Sequence, residues 1–444
     1  MSEFVINKLR GSWLPISAMF LCATLYLIWP TVHTIALRKL LIFFAACIGL
    51  LLWYRSEDRY AIIKSPWLIY LSLLLVWVVF HAGFISQNGN EAWSELEGQW
   101  LWPYLAVLAG IGLALAGRSI NSDKFVSYLF IVMAAQPILF IFDGIHRSLE
   151  QGHLASDFFV GMLGTDLKTS LTFSSDMLAA LSCAKILKSY TSNGKHIPNY
   201  IWWLIIVLAY FVAVFASSTN SILLITACVI LMLAMLSFRL KIQRLVGYIF
   251  TVLIAIFLLS YAASLNQTVA SKWHRMISNT KIALEVDTYP NWINDKIYGL
   301  PKNEMGEQLN HSFYMRIAWA VMGPRVVLEN PLGYGVTRKA FERLVQKKHP
   351  EASIANAHNS YINLASSVGI PGLILFVLVI VAVFRQLNNS NSALAQPAMW
   401  MIGIYVAHWA TDALERDHFF ELYLFVIAVL LTMTMKKTSD KSNA

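Results

Sequence analysis

His358 stands in the run Asn356-Ala357-His358-Asn359-Ser360-Tyr361, immediately ahead of a long apolar stretch. An imidazole titrates near neutral pH, so it accepts a proton without prior activation. Upstream, Arg316 sits in Tyr314-Met315-Arg316-Ile317-Ala318-Trp319. Its guanidinium keeps its charge and offers forked donors to an anion. An imidazole at the mouth of an apolar segment, close to the arginines of the polar stretch before it, is well placed for proton transfer at an interface. The structural alternatives are a polar cap residue for His358 and a solvated or ion-paired helix residue for Arg316.

The elements that must hold these residues are legible around them. Asn356 and Asn359 are placed to cap a helix that starts here. Eleven residues past His358, Gly369-Ile370-Pro371-Gly372 is expected to kink that helix. Ser312–Glu329 carries Ile317, Val321, Val326 and Val327 at amphipathic-helix spacing. It runs into Glu329-Asn330-Pro331-Leu332-Gly333-Tyr334-Gly335, where proline and glycine must turn the chain. Thr337–Lys348 again reads as helical and is strongly basic, whereas 266–310, broken by Pro290, Gly299 and Pro301, reads as irregular.

The rest of the chain is a membrane protein by composition. Of 444 residues, 57% are hydrophobic and 13% charged, half the roughly 25% charge of a soluble domain. Apolar runs fall at about 12–32, 40–54, 66–86, 101–117, 125–145, 170–187, 200–217, 219–238, 244–264, 360–385, 395–412 and 418–434. Most approach the 18 to 22 residues that cross a hydrocarbon core about 30 Å thick. The expected fold is an all-α polytopic bundle of about 12 transmembrane helices. Nine of these occupy 1–265 and three occupy 358–444, with one large polar loop containing short helices over 266–357.

With the N-terminus cytoplasmic, the inner segments hold sixteen Lys and Arg and the short outer loops hold five. That bias puts both termini inside and the large loop outside. The net charge of +9 is then mostly a topology signal. The bases do not gather on one soluble face, so no nucleic-acid partner is expected. The loop's basic surplus fits either anionic ligands or a face solvated against lipid headgroups. Cys22, Cys47, Cys183 and Cys228 all lie in apolar runs without metal-ligand spacing. No cleavable signal peptide and no internal repeat is evident.

Taken together, Arg316 in its helix, Asn330-Pro331-Leu332-Gly333-Tyr334-Gly335, His358-Asn359-Ser360-Tyr361-Ile362-Asn363-Leu364 and Gly369-Ile370-Pro371-Gly372 resemble the signature of the O-antigen ligase and polymerase superfamily. The resemblance implies a GT-C-like, metal-independent, inverting glycosyltransferase at the periplasmic face of a Gram-negative inner membrane, with no cofactor. Its donor would be a glycan on undecaprenyl diphosphate, and its acceptor the lipid A-core oligosaccharide, both presented among membrane lipids. His358 would be the base and Arg316 the diphosphate ligand. Ligase relatives carry an arginine where this chain has Asn220, in Ser217-Ser218-Thr219-Asn220-Ser221. Arg275, Arg325 or Arg416 would then supply a second donor-binding charge beside Asn220. Asp176, Asn359 and Tyr361 are the expected substrate-orienting groups, with an Asp412–Arg416 or Arg416–Asp417 ion pair as a structural contact nearby.

A polysaccharide polymerase uses the same donor, and the loss of arginine at Asn220 keeps that reading open. A protein O-oligosaccharyltransferase is disfavoured, because the chain ends about ten residues after its last apolar run. A transporter is the alternative of a different class. It would place its charges at mid-membrane on broken helices, whereas here the polar constellation gathers at one end.

Overall fold

Apolar runs that enter lipid must pair every backbone N–H and C=O internally, and helices meet that demand. The computed structural model describes residues 3–29, 34–120, 122–152, 168–190, 199–216, 218–237, 249, 253, 276–303, 306, 308–354, 356–415 and 417–436. Among the described residues the fold is helical, apart from one isolated bridge between Lys302 and Gln308.

The first part comprises α1 (Glu3–Ile28), α2 (Ile35–Arg55), α3 (Arg59–Ile63), α4 (Pro66–Phe84) and α5 (Gly89–Glu95), then a π turn over Leu96–Leu101 that leads into α6 (Trp102–Ile120). It continues with α7 (Ser122–Gln151), α8 (Lys168–Ser189), α9 (Asn199–Phe215) and α10 (Thr219–Ser237). The polar segment contributes α11 (Met276–Leu284), a 3₁₀ turn at Pro290–Trp292, α12 (Asp295–Tyr298), α13 (His311–Glu329) and α14 (Ala340–Gln346). The chain then returns through α15 (Ser360–Asn388), α16 (Ala395–His408) and α17 (Asp417–Thr434).

Among the described residues, six helical stretches are long and apolar enough to cross a membrane: Ile35–Arg55, Pro66–Phe84, Gly89–Ser119, Ser127–Gln151, Thr219–Ser237 and Ser360–Asn388. Trp13–Ile28, Asn199–Phe215 and His418–Thr434 are shorter apolar helices. The expected run at 244–264 lies, but for residues 249 and 253, outside the described residues. Helix α8 carries Ser174, Ser175 and Asp176 because it needs no apolar coat. Every residue from Thr172 to Ala184 is buried, and a helix packed on all sides is shielded from lipid by its neighbours.

The polar segment is more ordered than its composition suggests. The expectation of irregular structure over 266–310 is corrected at α11 and α12. Ala283, Val286, Trp292 and Ile293 pack with Tyr314, Met315, Ala318 and Trp319 of α13 and with Phe341, Leu344 and Val345 of α14 into a second core. Tertiary burial here overrides weak local helix propensity. Helix α13 begins where Asn310 Oδ1 accepts the Phe313 N–H at 3.1 Å, the side-chain cap that an exposed helix start requires.

The expected kink in α15 is present, with Gly369 at φ 75°, ψ 176° inside the helix. A break of this kind frees backbone groups that must be paired again. The Asn330–Gly335 turn does so. Ser366 O accepts the Tyr334 N–H at 2.8 Å, Ser367 O accepts the Gly335 N–H at 3.0 Å, and the Ile370 N–H donates to Pro331 O at 2.8 Å. From α4, the Trp77 indole N–H donates to Val368 O at 2.8 Å, and His81 Nε2 lies 2.6 Å from Leu332 O. The two motifs are therefore halves of one lock, which fixes the first half of α15 and the residues just before it.

Candidate functional site

Three segments meet at the start of α15. His358 precedes the helix in a left-handed conformation, φ 47°, uncommon for a residue with a side chain. Asn356 Oδ1 holds it there by accepting the His358 N–H at 2.8 Å. Asn363, one turn into α15, accepts the Ala357 N–H at 2.9 Å. The strained conformation directs the imidazole toward α13 and the turn after α16. Its ring lies nearly parallel to Trp319, 11° between planes and 5.8 Å between centroids. Nδ1 faces Asp412 Oδ1 at 3.3 Å.

Arg316 and Trp319 are three residues apart and share one face of α13. Arg316 Nη1 donates to Asn220 Oδ1 at 3.0 Å, and Asn220 Nδ2 donates to Thr411 O at 3.0 Å. The buried Arg316 Nε has no hydrogen-bond partner. A half-buried guanidinium with an unpaired donor is well suited to accept an anion. Asn220 thus spends its amide on the arginine and a backbone carbonyl, not on open space.

Burial opposes ionisation of Asp412. The hydrogen bond with His358, the nearby charges of Arg316 and His408, and the Ala413 N–H outweigh it and hold the carboxyl below the usual carboxylate range. A carboxyl depressed in this way stabilises the fold fully above the ordinary Asp pKa of about 4 and loses that contribution as pH falls through the native value. Asp412→Asn is therefore expected to melt below the wild type at pH 7. The gap should close as pH drops from about 5 toward 2, measured by thermal denaturation in detergent. A gap that stays constant with pH would show that the carboxylate is not held ionised by this cluster.

Beneath this layer, Asp176 Oδ2 and His408 Nδ1 are 3.2 Å apart with both side chains at most 2% exposed. The approach lies off the hydrogen-bonding direction, and Ser221 Oγ–H donates to the same carboxylate oxygen at 3.1 Å. Asp176 therefore lies behind the site, against α16 and α10.

Other expected residues are placed as follows. Asn359 caps α15, its Oδ1 accepting from Tyr361 N–H at 3.1 Å and Ile362 N–H at 3.2 Å, and its Nδ2 donating to Ala410 O at 3.0 Å. The Tyr361 hydroxyl donates to Val406 O at 2.8 Å. Both side chains join elements of the fold. Arg325, nine residues from Arg316 and so on the opposite face of α13, is half exposed and binds both oxygens of Asp287 at 2.8 and 3.0 Å. It is not brought to the site. Arg275 and Arg416 lie outside the described residues, as does the Asp417 side chain.

The contact between His358 and Asp412 is one that the sequence did not signal, since Asp412 was read beside Arg416. Trp319 as the platform for the imidazole was also missed, although its i, i+3 relation to Arg316 is readable. Among the described residues no group of three or more His, Cys, Asp or Glu gathers as a metal-binding cluster would.

Residues 204–377 match the family model described as O-antigen ligase. That stretch contains Asn220, Arg316, Trp319 and His358, whereas Asp176, His408 and Asp412 lie outside it. No curated protein matches the chain at a significant level. The match supports the resemblance to the O-antigen ligase and polymerase superfamily over that stretch of the chain.

Proposed function

We propose that this chain is an O-antigen ligase of the O-antigen ligase and polymerase superfamily. It transfers an O-polysaccharide from undecaprenyl diphosphate to a hydroxyl of the lipid A-core oligosaccharide at the periplasmic face of the inner membrane. The observation that supports this most is His358 set between Asp412 and Trp319, with Arg316 tied through Asn220 to the turn that bears Asp412.

The chemistry follows from those contacts. Asp412 faces Nδ1 and so favours the tautomer with its proton there, which leaves Nε2 free as the acceptor. The acceptor hydroxyl gives its proton to Nε2, and its oxygen attacks the anomeric carbon on the face opposite the diphosphate. The bond from that carbon to the phosphate oxygen breaks, and configuration inverts. The diphosphate leaves with the bonding pair, its charge met by Arg316, whose planar donors suit a phosphate and do not deprotonate. The imidazolium that forms is stabilised by the Asp412 carboxylate and returns its proton to solvent.

The second reading, a polymerase, is favoured by the Asn220 departure alone. Deleting the gene and resolving the cell's lipopolysaccharide on a gel separates the two. Core-only lipopolysaccharide with accumulated lipid-linked polymer is the expected result. Core bearing a single repeat unit would instead assign polymerase. Purified protein in detergent, where no compartment exists to transport across, is expected to make the glycosidic linkage from donor and acceptor.

A further inference from the structure

The turn between α16 and α17 is built as a hub. Four successive carbonyls are taken by side chains or N–H groups from elsewhere. Trp409 O accepts from Ser360 N–H at 2.8 Å, and Ala410 O accepts from Asn359 Nδ2 at 3.0 Å. Thr411 O accepts from Asn220 Nδ2 at 3.0 Å, and Asp412 O accepts from Ser360 Oγ–H at 2.8 Å. Ser360 Oγ in turn accepts the Leu414 N–H at 2.6 Å, and the Ser360 side chain is fully buried. On the near side, His408 O accepts the N–H groups of Thr411 at 2.9 Å and Asp412 at 3.1 Å, while its ring packs against Asp176. The turn itself lies beyond the stretch matched by the family model.

Four backbone acceptors in a row, each used by α15 or by α10, form a mount and exceed what capping a helix requires. Their partners divide in two. Ser360 binds either side of the Asp412 carboxyl, through Asp412 O and Leu414 N–H. Asn220 binds the residue just before it and, with the other end of its amide, Arg316. The turn thus ties the group that orients the base to the cation that receives the leaving group.

We propose that Ser360 and Asn220 are positioning residues acting through this turn: Ser360 sets Asp412 against His358, and Asn220 is a strut that sets Arg316 rather than a phosphate ligand. The assignment rests on the base and clamp roles proposed above. The two residues should fail differently. Losing the Ser360 hydroxyl frees the Asp412 turn and misaligns the base, which acts only in the chemical step. Losing the Asn220 amide frees Arg316, which already holds a charged group in the bound donor. Changes that act on bound donor and transition state alike appear in KM, and changes confined to the transition state appear in kcat.

The test is steady-state transfer by purified S360A, S360T, N220A and D412N, each first checked for membrane insertion and a monodisperse elution profile. S360A is expected to lower kcat about ten- to a hundredfold, the scale of a roughly 1 Å misplacement, with donor KM within about twofold. S360T, which keeps the hydroxyl, should recover most of that loss. Combined with D412N, S360A should cost no more than about threefold further, because both act on one contact. N220A is the independent arm, with donor KM raised about tenfold and kcat within about threefold. Wild-type kcat in S360A, fully additive losses with D412N, or an unchanged donor KM in N220A would overturn the assignment. Should S360A fail to accumulate, the N220A result and the S360T kcat decide it. Wild-type activity in H358A would refute the underlying reading instead, whatever the Ser360 and Asn220 variants do.

Discussion

Replacing His358 with alanine is expected to abolish glycan transfer while leaving the protein inserted and folded. Removing a general base costs about 10²- to 10⁴-fold, enough to take a membrane glycosyltransferase below the detection limit of a gel assay. The fold should survive because the side chain carries little of it. It is about a third exposed, and its contacts are one aromatic face and one carboxylate oxygen. The backbone keeps its N–H bond to Asn356. Alanine at φ 47° bears a strain of about 1–2 kcal/mol, small against a bundle of this size. Because the proposed mechanism assigns donor binding to Arg316, H358A should still retain lipid-linked donor on a binding assay. A rate near wild type from purified H358A with lipid-linked donor and acceptor would remove His358 from the chemistry.

The elements around this site were largely readable in advance, and the contacts between them were not. Apolar run length marked the helices because lipid and core both demand it over a fixed span. The Gly369-Ile370-Pro371-Gly372 run marked a kink because proline lacks an N–H. What paired the freed carbonyls was invisible, since Tyr334 and Gly335 reach them through backbone atoms that carry no residue-type signal. Asp412 shows the same limit in the site. It lies 54 residues from His358, and a carboxylate beside Arg416 in sequence reads as its partner. Asn220 was legible only as a departure from arginine. Its work on Arg316 and Thr411 depends on α10, α13 and the turn after α16 converging, which no local spacing encodes. In sequence Asp176 reads as a substrate-orienting group, and the structure sets it beside His408 with a hydrogen bond from Ser221. Arg325 was drawn toward the site by charge alone, and helical phase turns it away.

Gly369→Ala should be strongly destabilising for a single added methyl. At φ 75°, ψ 176° the residue occupies a region of backbone space open essentially to glycine. A Cβ there would stand 2.7 Å from Leu332 C and from Pro331 O. Those are backbone atoms, and they cannot retreat, since Pro331 O already accepts the Ile370 N–H and Leu332 O meets His81. Backbone strain of about 1–3 kcal/mol adds to an overpacking cost of about 1–3 kcal/mol. The lock between the Asn330–Gly335 turn and α15 should open, and with it the register of Ser360 and His358 at the head of the same helix. The variant is expected to accumulate poorly or to melt well below the wild type, and any protein recovered should transfer glycan more slowly. Gly403→Ala is the control, because its Cβ would meet nothing closer than Phe384 Cζ at 3.9 Å, and alanine in a helix gains about 0.5–1 kcal/mol over glycine. Melting curves of the two purified variants give the comparison directly. If G369A melts with the wild type and G403A, the kink does not require glycine and the two motifs are not locked as described.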